Sequence, residues 1–444
     1  MIRTFCSFQD KLLRLWKIML ALPAAIKKKP RLKSRGFLFL SKQIIDNLYS
    51  GDVQFTHIMI KRTAETFITQ YLENKNNSKI LFIWGPRRSG KTTLLEKVSA
   101  DISVPIFNFN LLSDQEPFVP RREILAKLAA SHPVILIDEV QYFPESTVAL
   151  KALHDEFKIK VIATGSSELR QKSKNFDSLA DRYNEIFCLP LSLEETLKHE
   201  TLPLYRIEEQ AKQLAEDFQV FGSYPEVVTM RKTASEMEIA DKLEKIVDAY
   251  ILKDIIEIYE LKNAKLAKDI LTKIALQTGS EVSLREIASS LQANTATVAN
   301  YIEIFIKNYI LIALPSFKTN VRKAVSENRK LYFWDCGIRN ALIKDFRKTE
   351  LRPDKGGVFE NLVISEVSKV IKNHRLKLNL YFYREYGGKE VDLVIEDYKK
   401  KYTVFEIKLT PQKAKPIFPL PHSLSTITPG NLLESLNKLT QTVL

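Results

Sequence analysis

The chain has 444 residues, 45% of them hydrophobic and 27% charged, which allows two to four domains with sizeable cores and excludes a disordered chain. Its formal charge of +14 is concentrated at one end, where residues 1–58 hold eleven Lys/Arg against three Asp/Glu; this suits a nucleic-acid partner or, equally, a lysine-rich solvated surface. Cys6, Cys188 and Cys336 are isolated and odd in number, which excludes a disulfide framework and a zinc-type spacing and fits a reducing cytoplasm.

Residues 1–58 differ from the rest. The apolar run Leu12–Ile26 is broken by Arg14 and Lys17, is too short to span a bilayer, and precedes its positive charges (Lys27 to Arg35) instead of following them as a signal peptide would. No stable membrane insertion is expected. The segment reads as a basic extension, poorly ordered or preceding a native start at Met59, with a membrane-surface helix as the alternative.

From Met59 an amphipathic helix leads to the apolar run Ile80-Leu81-Phe82-Ile83-Trp84, then Gly85-Pro86-Arg87-Arg88-Ser89-Gly90-Lys91-Thr92, then the helix-like stretch from Thr93 to Val98. Strand, glycine-closed loop and helix opening on Lys-Thr are the parts of a phosphate-binding loop, in the required order. Backbone N–H groups and the positive helix end face the phosphates of ATP, Lys91 reaches the β/γ oxygens, and the Thr92 hydroxyl ligates Mg²⁺. Pro105–Asn110 reads as a second strand. His132–Glu139 supplies a third, whose apolar run ends in Asp138 and Glu139 at the carboxyl end, where an α/β sheet places its chemistry. Asp138 would hold Mg²⁺, directly or through water, and Glu139 would polarise the attacking water.

Lys158–Ser167 is the next strand and ends in small hydroxyl residues, with Ser166 the first candidate for sensing the γ-phosphate and Thr164 the second. Glu185–Leu189 gives a fifth strand, and Arg182 just before it is either an arginine finger or a surface arginine. From Tyr205 to Thr278 the spacing turns helical, as expected of a lid over the nucleotide. Ser283-Leu284-Arg285-Glu286 is a capping box opening a short helix, a turn at Gln292–Asn294 follows, and Val298, Tyr301, Ile302 and Phe305 line a second helix. This is a helix-turn-helix pattern with Thr295, Thr297, Asn300 and Lys307 outward. Strands near Ile310–Phe317 and Lys330–Trp334 would make a wing carrying Lys318, Arg322, Lys323 and Arg329. It reads as a DNA-contacting module or as a docking and spacer element.

A second constellation lies near the carboxyl terminus. Glu360 falls on the helix-like Val358–Val370, Asp392 follows Gly387–Val391, and Glu406 and Lys408 share one face of the strand Thr403–Leu409 while Phe405 and Ile407 take the other. Three carboxylates and a lysine at the edge of a small sheet can hold one or two Mg²⁺ or Mn²⁺ ions and activate a water for phosphodiester cleavage; ordinary charges on a solvated strand are the alternative.

Together these stretches resemble the stand-alone prokaryotic ATPases of the AAA-type P-loop class with a C-terminal domain related to PD-(D/E)xK nucleases. The resemblance covers residues 59–444. It rests on Gly85–Thr92, Val134–Glu139, Ala163–Ser167, Ser178–Arg182 leading to Leu189–Ser192, Gly222–Glu226, Leu331–Gly337 and the Glu360, Asp392, Glu406, Lys408 set. It implies an α/β fold: a P-loop NTPase parallel sheet over residues 59–200, a helical lid over 201–278, a winged helix-turn-helix over 279–334 and a small α/β nuclease-like domain over 335–444. It implies an intracellular ATPase that uses ATP and Mg²⁺; the basic charge and the helix-turn-helix pattern make DNA an expected partner, and assembly with further copies of the chain is left open. Asp181 and Ser223 stand where the family usually has glycine, and the chain is shorter than usual after Lys408.

Overall fold

A computed structural model of the chain describes residues 60–165, 176–199, 203–249, 255, 259, 261, 263–318, 329–385, 390–411 and 418–441. The basic extension, Ser166, the wing residues Arg322 and Lys323, and the turn Gly387–Lys389 lie outside the described residues.

Five strands, β1 (Ile80–Trp84), β2 (Ile106–Asn108), β3 (Val134–Asp138), β4 (Lys160–Gly165) and β5 (Tyr183–Phe187), form a sheet of order β2-β3-β4-β1-β5. Every neighbouring pair is parallel. Parallel strands need crossover helices, and these cover both faces, so β1 is buried along its whole length. Its alternating residues feed two cores, Ile80, Phe82 and Trp84 on one side and Leu81 and Ile83 on the other. The fifth strand begins two residues earlier than its apolar pattern suggests, at Tyr183, because the parallel ladder with β1 pairs Ile80 with Tyr183.

The helices Ile207–Phe221, Glu236–Ile246, Ala264–Leu276, Leu284–Ser290 and Thr295–Lys307 follow, then the antiparallel hairpin β6 (Leu311–Pro315) and β7 (Arg329–Phe333). Ser283 caps the Leu284–Ser290 helix through the Glu286 N–H, and Asn294 caps Thr295–Lys307 through Ala296. All of these elements share one core, containing Leu243, Ile270, Ile287, Ile302, Phe305, Leu311 and Phe333. The Cys336–Ile343 helix joins the same core through Ile338, Ala341 and Leu342, although the sequence placed it with the carboxyl-terminal domain. Each of these short amphipathic helices has one apolar face, too small to bury itself alone, so a single shared core collects them.

The carboxyl-terminal sheet has the order β11-β10-β9-β8, from β8 (Leu378–Arg384), β9 (Glu390–Asp397), β10 (Tyr402–Ile407) and β11 (His422–Ile427). Its first three strands pair antiparallel, while β11 lies parallel to β10. The 19-residue Lys355–Asn373 helix covers one face, packing Phe359, Leu362, Val363 and Val367 among Leu393, Ile395, Phe405 and Ile407. The same cluster takes in Leu189, Leu191 and Leu193 from the end of the P-loop domain, so this helix is a buried shaft between two sheets. No helix among the described residues is long and apolar enough to cross a membrane.

Candidate functional site

The parallel order sets the carboxyl ends of β1, β3 and β4 side by side. β1 runs into the Gly85–Gly90 loop, and the helix Lys91–Ile102 starts immediately after it with Gly90 as its N-cap. Gly90 has φ 95° and Arg88 φ 62°, left-handed conformations that turn successive N–H groups toward one side of the loop. Lys91 is 4% exposed, and its ammonium donates to the carbonyls of Gly85 at 3.1 Å and Pro86 at 2.9 Å. The lysine charge is thus folded over the mouth of the loop, and Ser89 Oγ tightens the turn by donating to the Pro86 carbonyl at 2.8 Å.

At the end of β3, Thr92 Oγ1 donates to Asp138 Oδ2 at 3.0 Å, and Thr164 Oγ1 from β4 donates to Asp138 Oδ1. A hydroxyl and a carboxylate meeting there are hard oxygen donors of the kind that bind Mg²⁺ together with waters and a nucleotide phosphate, so the residues fit that ion. Glu139 adopts φ 57°, its N–H donates to Thr164 Oγ1 at 3.2 Å, and Gln141 Nε2 donates to its carboxylate. A left-handed glutamate at a strand end costs about 1 kcal/mol or more, and here the Thr164 and Gln141 contacts hold it.

Three supports lay beyond the sequence reading. Arg62, buried ahead of the first helix, donates to the Ser89 carbonyl at 2.9 Å, to Glu195 at 3.2 Å and to the Leu189 carbonyl. Gln141 orients Glu139. Arg87 contacts the Tyr142 hydroxyl, which brings the segment after β3 against the loop. Nothing in a single sequence marks Arg62, since it lies 27 residues from the group it positions.

Arg182 is not brought to this site. Its carbonyl accepts from Ile80 N at 2.8 Å, at the start of β1, and its guanidinium donates to Asp155 at 2.8 and 3.0 Å. The five-residue strand puts it roughly 15 Å from the loop of its own chain. The Arg182 and His154 hydrogen bonds hold the Asp155 carboxyl down at about 2. The preceding Asp181 has φ 64°, which explains a glycine at this position in the resembling family. Replacing Arg182 by Ala is expected to leave ATP turnover of the dilute protein at the wild-type rate in a coupled phosphate-release assay; a large loss would require a finger role that this geometry does not give it.

Two motifs far apart in sequence meet behind the loop. Ser223 N–H donates to Asp335 Oδ2 at 2.6 Å, while Asp335 Oδ1 caps the Cys336–Ile343 helix through Ile338 N–H at 3.0 Å. Lys369 of the buried shaft donates to Ser223 Oγ at 2.9 Å, Leu191 O at 3.1 Å and Glu366 at 2.7 Å, and Glu366 in turn accepts from Leu193 N–H at 2.8 Å. The hydroxyl of Ser223 thus bridges Asp335 and Lys369. Three residues on, Glu226 reaches Arg88 of the phosphate loop at 3.4 Å.

In the carboxyl-terminal domain Lys408 Nζ lies 3.1 Å from Asp392 Oδ2 and 2.9 Å from Glu406 Oε2. Glu360 instead accepts from Lys330 Nζ at 3.0 Å and from the Tyr332 hydroxyl, both on β7. Burial pushes the Glu360 carboxyl up, against the pull of Lys330. The expected metal trio Glu360, Asp392 and Glu406 is therefore not assembled: among the described residues no three His, Cys, Asp or Glu side chains converge to hold a metal ion. Each carboxylate is engaged by an ammonium group instead, so the residues in this arrangement do not fit a divalent ion. Lys330 and Tyr332 had no signal in the sequence, because they sit on the hairpin strand 30 and 28 residues before Glu360, whereas their neighbour Glu390 stands on β9 with Asp392.

An AAA domain model matches residues 77–197, and two domains of unknown function match further stretches, DUF8612 over 212–349 and DUF4143 over 355–419. An uncharacterised protein of Haemophilus influenzae is 23% identical over 308 residues, 64% of this chain and 74% of that protein. One from Methanocaldococcus jannaschii is 26% identical over 336 residues, 72% of each chain. Among solved structures, the replication initiator DnaA bound to AMPPCP and single-stranded DNA is 16% identical, with a TM-score of 0.28 over 57% of this chain and 91% of that one. The Thermotoga maritima RuvB Holliday junction branch migration motor is also 16% identical, with a TM-score of 0.29 over 56% of this chain and 88% of that one. The parallel sheet and the loop coincide with the stretch that the AAA domain model matches, so this part of the chain has the architecture of an AAA-type P-loop domain.

Proposed function

We propose that this ATPase acts on DNA and that its nucleotide state governs the carboxyl-terminal nuclease-like domain. One observation carries the proposal: the Gly222–Glu226 segment touches the phosphate loop through Glu226 and Arg88 and, three residues earlier, is tied through Ser223 to Asp335 and the shaft residue Lys369. A shift of that segment on ATP binding is transmitted by a rigid, hydrogen-bonded route and not through a flexible linker. DNA contact is supported by the +14 charge and by Thr295, Asn300 and Lys307, exposed on a capped helix beside a two-stranded hairpin in the manner of a winged helix.

ATP would be held by the Gly85–Thr93 stretch, Mg²⁺ by Thr92 and Asp138, and the attacking water would be polarised by Glu139. Glu139→Gln is expected to bind ATP with near wild-type affinity while turnover falls by about 10²–10⁴, as read by fluorescent-nucleotide binding beside phosphate release. The deciding experiment incubates linear, single-stranded and branched DNA with Mg²⁺ or Mn²⁺, with and without ATP, for wild type and a Glu406→Ala/Lys408→Ala double variant. Cleavage by wild type that the double variant lacks supports the proposal. A second reading, in which the domain binds DNA or a partner without cutting, is favoured by the ammonium pairing of all three carboxylates; it predicts salt-dependent DNA binding and ATP turnover with no cleavage.

A further inference from the structure

The hairpin strand β7 gives Leu331 and Phe333 to the helical core, yet two of its side chains, Lys330 and Tyr332, end in the carboxylate cluster of the next domain. Lys330 is 1% exposed, and its ammonium pairs with Glu360 at 3.0 Å and with Glu390, and lies 5.6 Å from the centroid of the Phe382 ring. Tyr332, two residues along the same strand and so on the same face, donates its hydroxyl to the same Glu360 oxygen. Arg384 stands 3.4 Å from Glu390, and Lys408 takes Asp392 and Glu406. Arg384 also holds Glu281 at 2.8 Å, so in this cluster Lys330 stands between Glu360 and Glu390 and Lys408 between Asp392 and Glu406, and every carboxylate faces a cation. Asn361 fixes the strand in place by bonding both the N–H and the carbonyl of Phe333, at 2.7 and 3.0 Å.

We infer that Lys330 is a built-in counter-cation that denies this cluster a divalent ion while β7 is seated against the Lys355–Asn373 helix. The inference rests on the nuclease-like reading of the cluster and names its control. An ammonium group within hydrogen-bond distance of Glu360 supplies the charge that Mg²⁺ or Mn²⁺ would supply, and it repels a second cation from the same oxygens. The lysine is pinned by two carboxylates, so burial, which would push its ammonium toward neutrality, is outweighed and its pKa rises. Tyr332 adds a second donor to the same Glu360 Oε1, so that oxygen is held from two sides of the hairpin strand's face.

The test is a Mn²⁺ titration of the nucleotide-free full chain, reading free Mn²⁺ by electron paramagnetic resonance, for wild type, Glu406→Ala, Lys330→Met and Lys330→Met/Glu406→Ala. Wild type and Glu406→Ala should give the same isotherm, because the closed cluster contributes no site. Lys330→Met should gain one Mn²⁺ site, at least about tenfold tighter than any in wild type, and the Glu406→Ala change should remove it. Lys330→Gln keeps hydrogen-bonding capacity without charge and should gain the same site if the methionine variant does not fold. A Glu406-dependent site already present in wild type overturns the inference, as does a folded Lys330 variant that gains none. If the Lys330 variants bind Mn²⁺ but cut no DNA, the counter-cation stands and it is the nuclease reading that fails.

Discussion

Replacing Lys91 by Ala or Met is expected to lower ATP turnover by about 10²–10³ or more, while the folded protein remains intact. The ammonium is held over the loop by the carbonyls of Gly85 and Pro86 at 3.1 and 2.9 Å. A phosphate arriving at the loop offers the same ammonium a charged partner. As charge spreads over the transferring phosphoryl group, a lysine fixed in a water-poor loop stabilises it without having to reorganise. The loop is also secured by groups that the variant leaves alone, the Arg62 bond to the Ser89 carbonyl and the Ser89 bond to Pro86, so thermal unfolding should change little. Phosphate release measured beside a circular-dichroism melt separates the two effects. Near-normal turnover in a folded Lys91→Ala protein would remove the phosphate loop from the centre of the mechanism.

The largest stability effects are expected at Gly222 and Asp335. Gly222 has φ 73° with ψ −166°, a region that is essentially glycine's alone, and a Cβ built there would lie 2.0 Å from Asp335 Oδ1. Gly222→Ala must therefore strain its backbone and expel the carboxylate that Ser223 N–H and Ile338 N–H both use. Asp335→Ala reaches the same result from the other side, leaving two buried N–H groups without their acceptor. At about 1–3 kcal/mol for each unsatisfied buried donor, a loss of roughly 3–5 kcal/mol is expected for either variant. Against a total stability of about 5–15 kcal/mol for an ordinary domain this is a large share. Urea unfolding followed by far-ultraviolet circular dichroism reads it. Ser223→Ala is the control: it keeps the backbone donor, loses only the hydroxyl between Asp335 and Lys369 and should cost about 1 kcal/mol. Equal losses in all three would mean that the backbone bond to Asp335 is not what holds the knot.

What the amino-acid order determined by itself was local and contiguous. The phosphate loop was legible because strand, glycine turn and Lys-Thr helix start fall within thirteen consecutive residues, 80–92, and each part has its own chemistry. Asp138 and Glu139 were legible because they end an apolar run, and a strand buried on both faces must present its first polar residues at its mouth. The cap at Ser283 followed from a side chain accepting the N–H three residues on, while the turn residue Asn294 took up its capping role only in the structure. The direction of Arg182 was not legible, because a guanidinium at a strand start serves whichever carboxylate packs beneath it, here Asp155. Only the tertiary structure decided that Ser223 meets Asp335, 112 residues on, and that Lys330 rather than a metal ion faces Glu360, 30 residues on. Periodicity says which face of an element is apolar, but not which other element will cover it. The charged groups that end up buried together are chosen by that packing, since a buried charge is tolerated only where a partner is delivered to it.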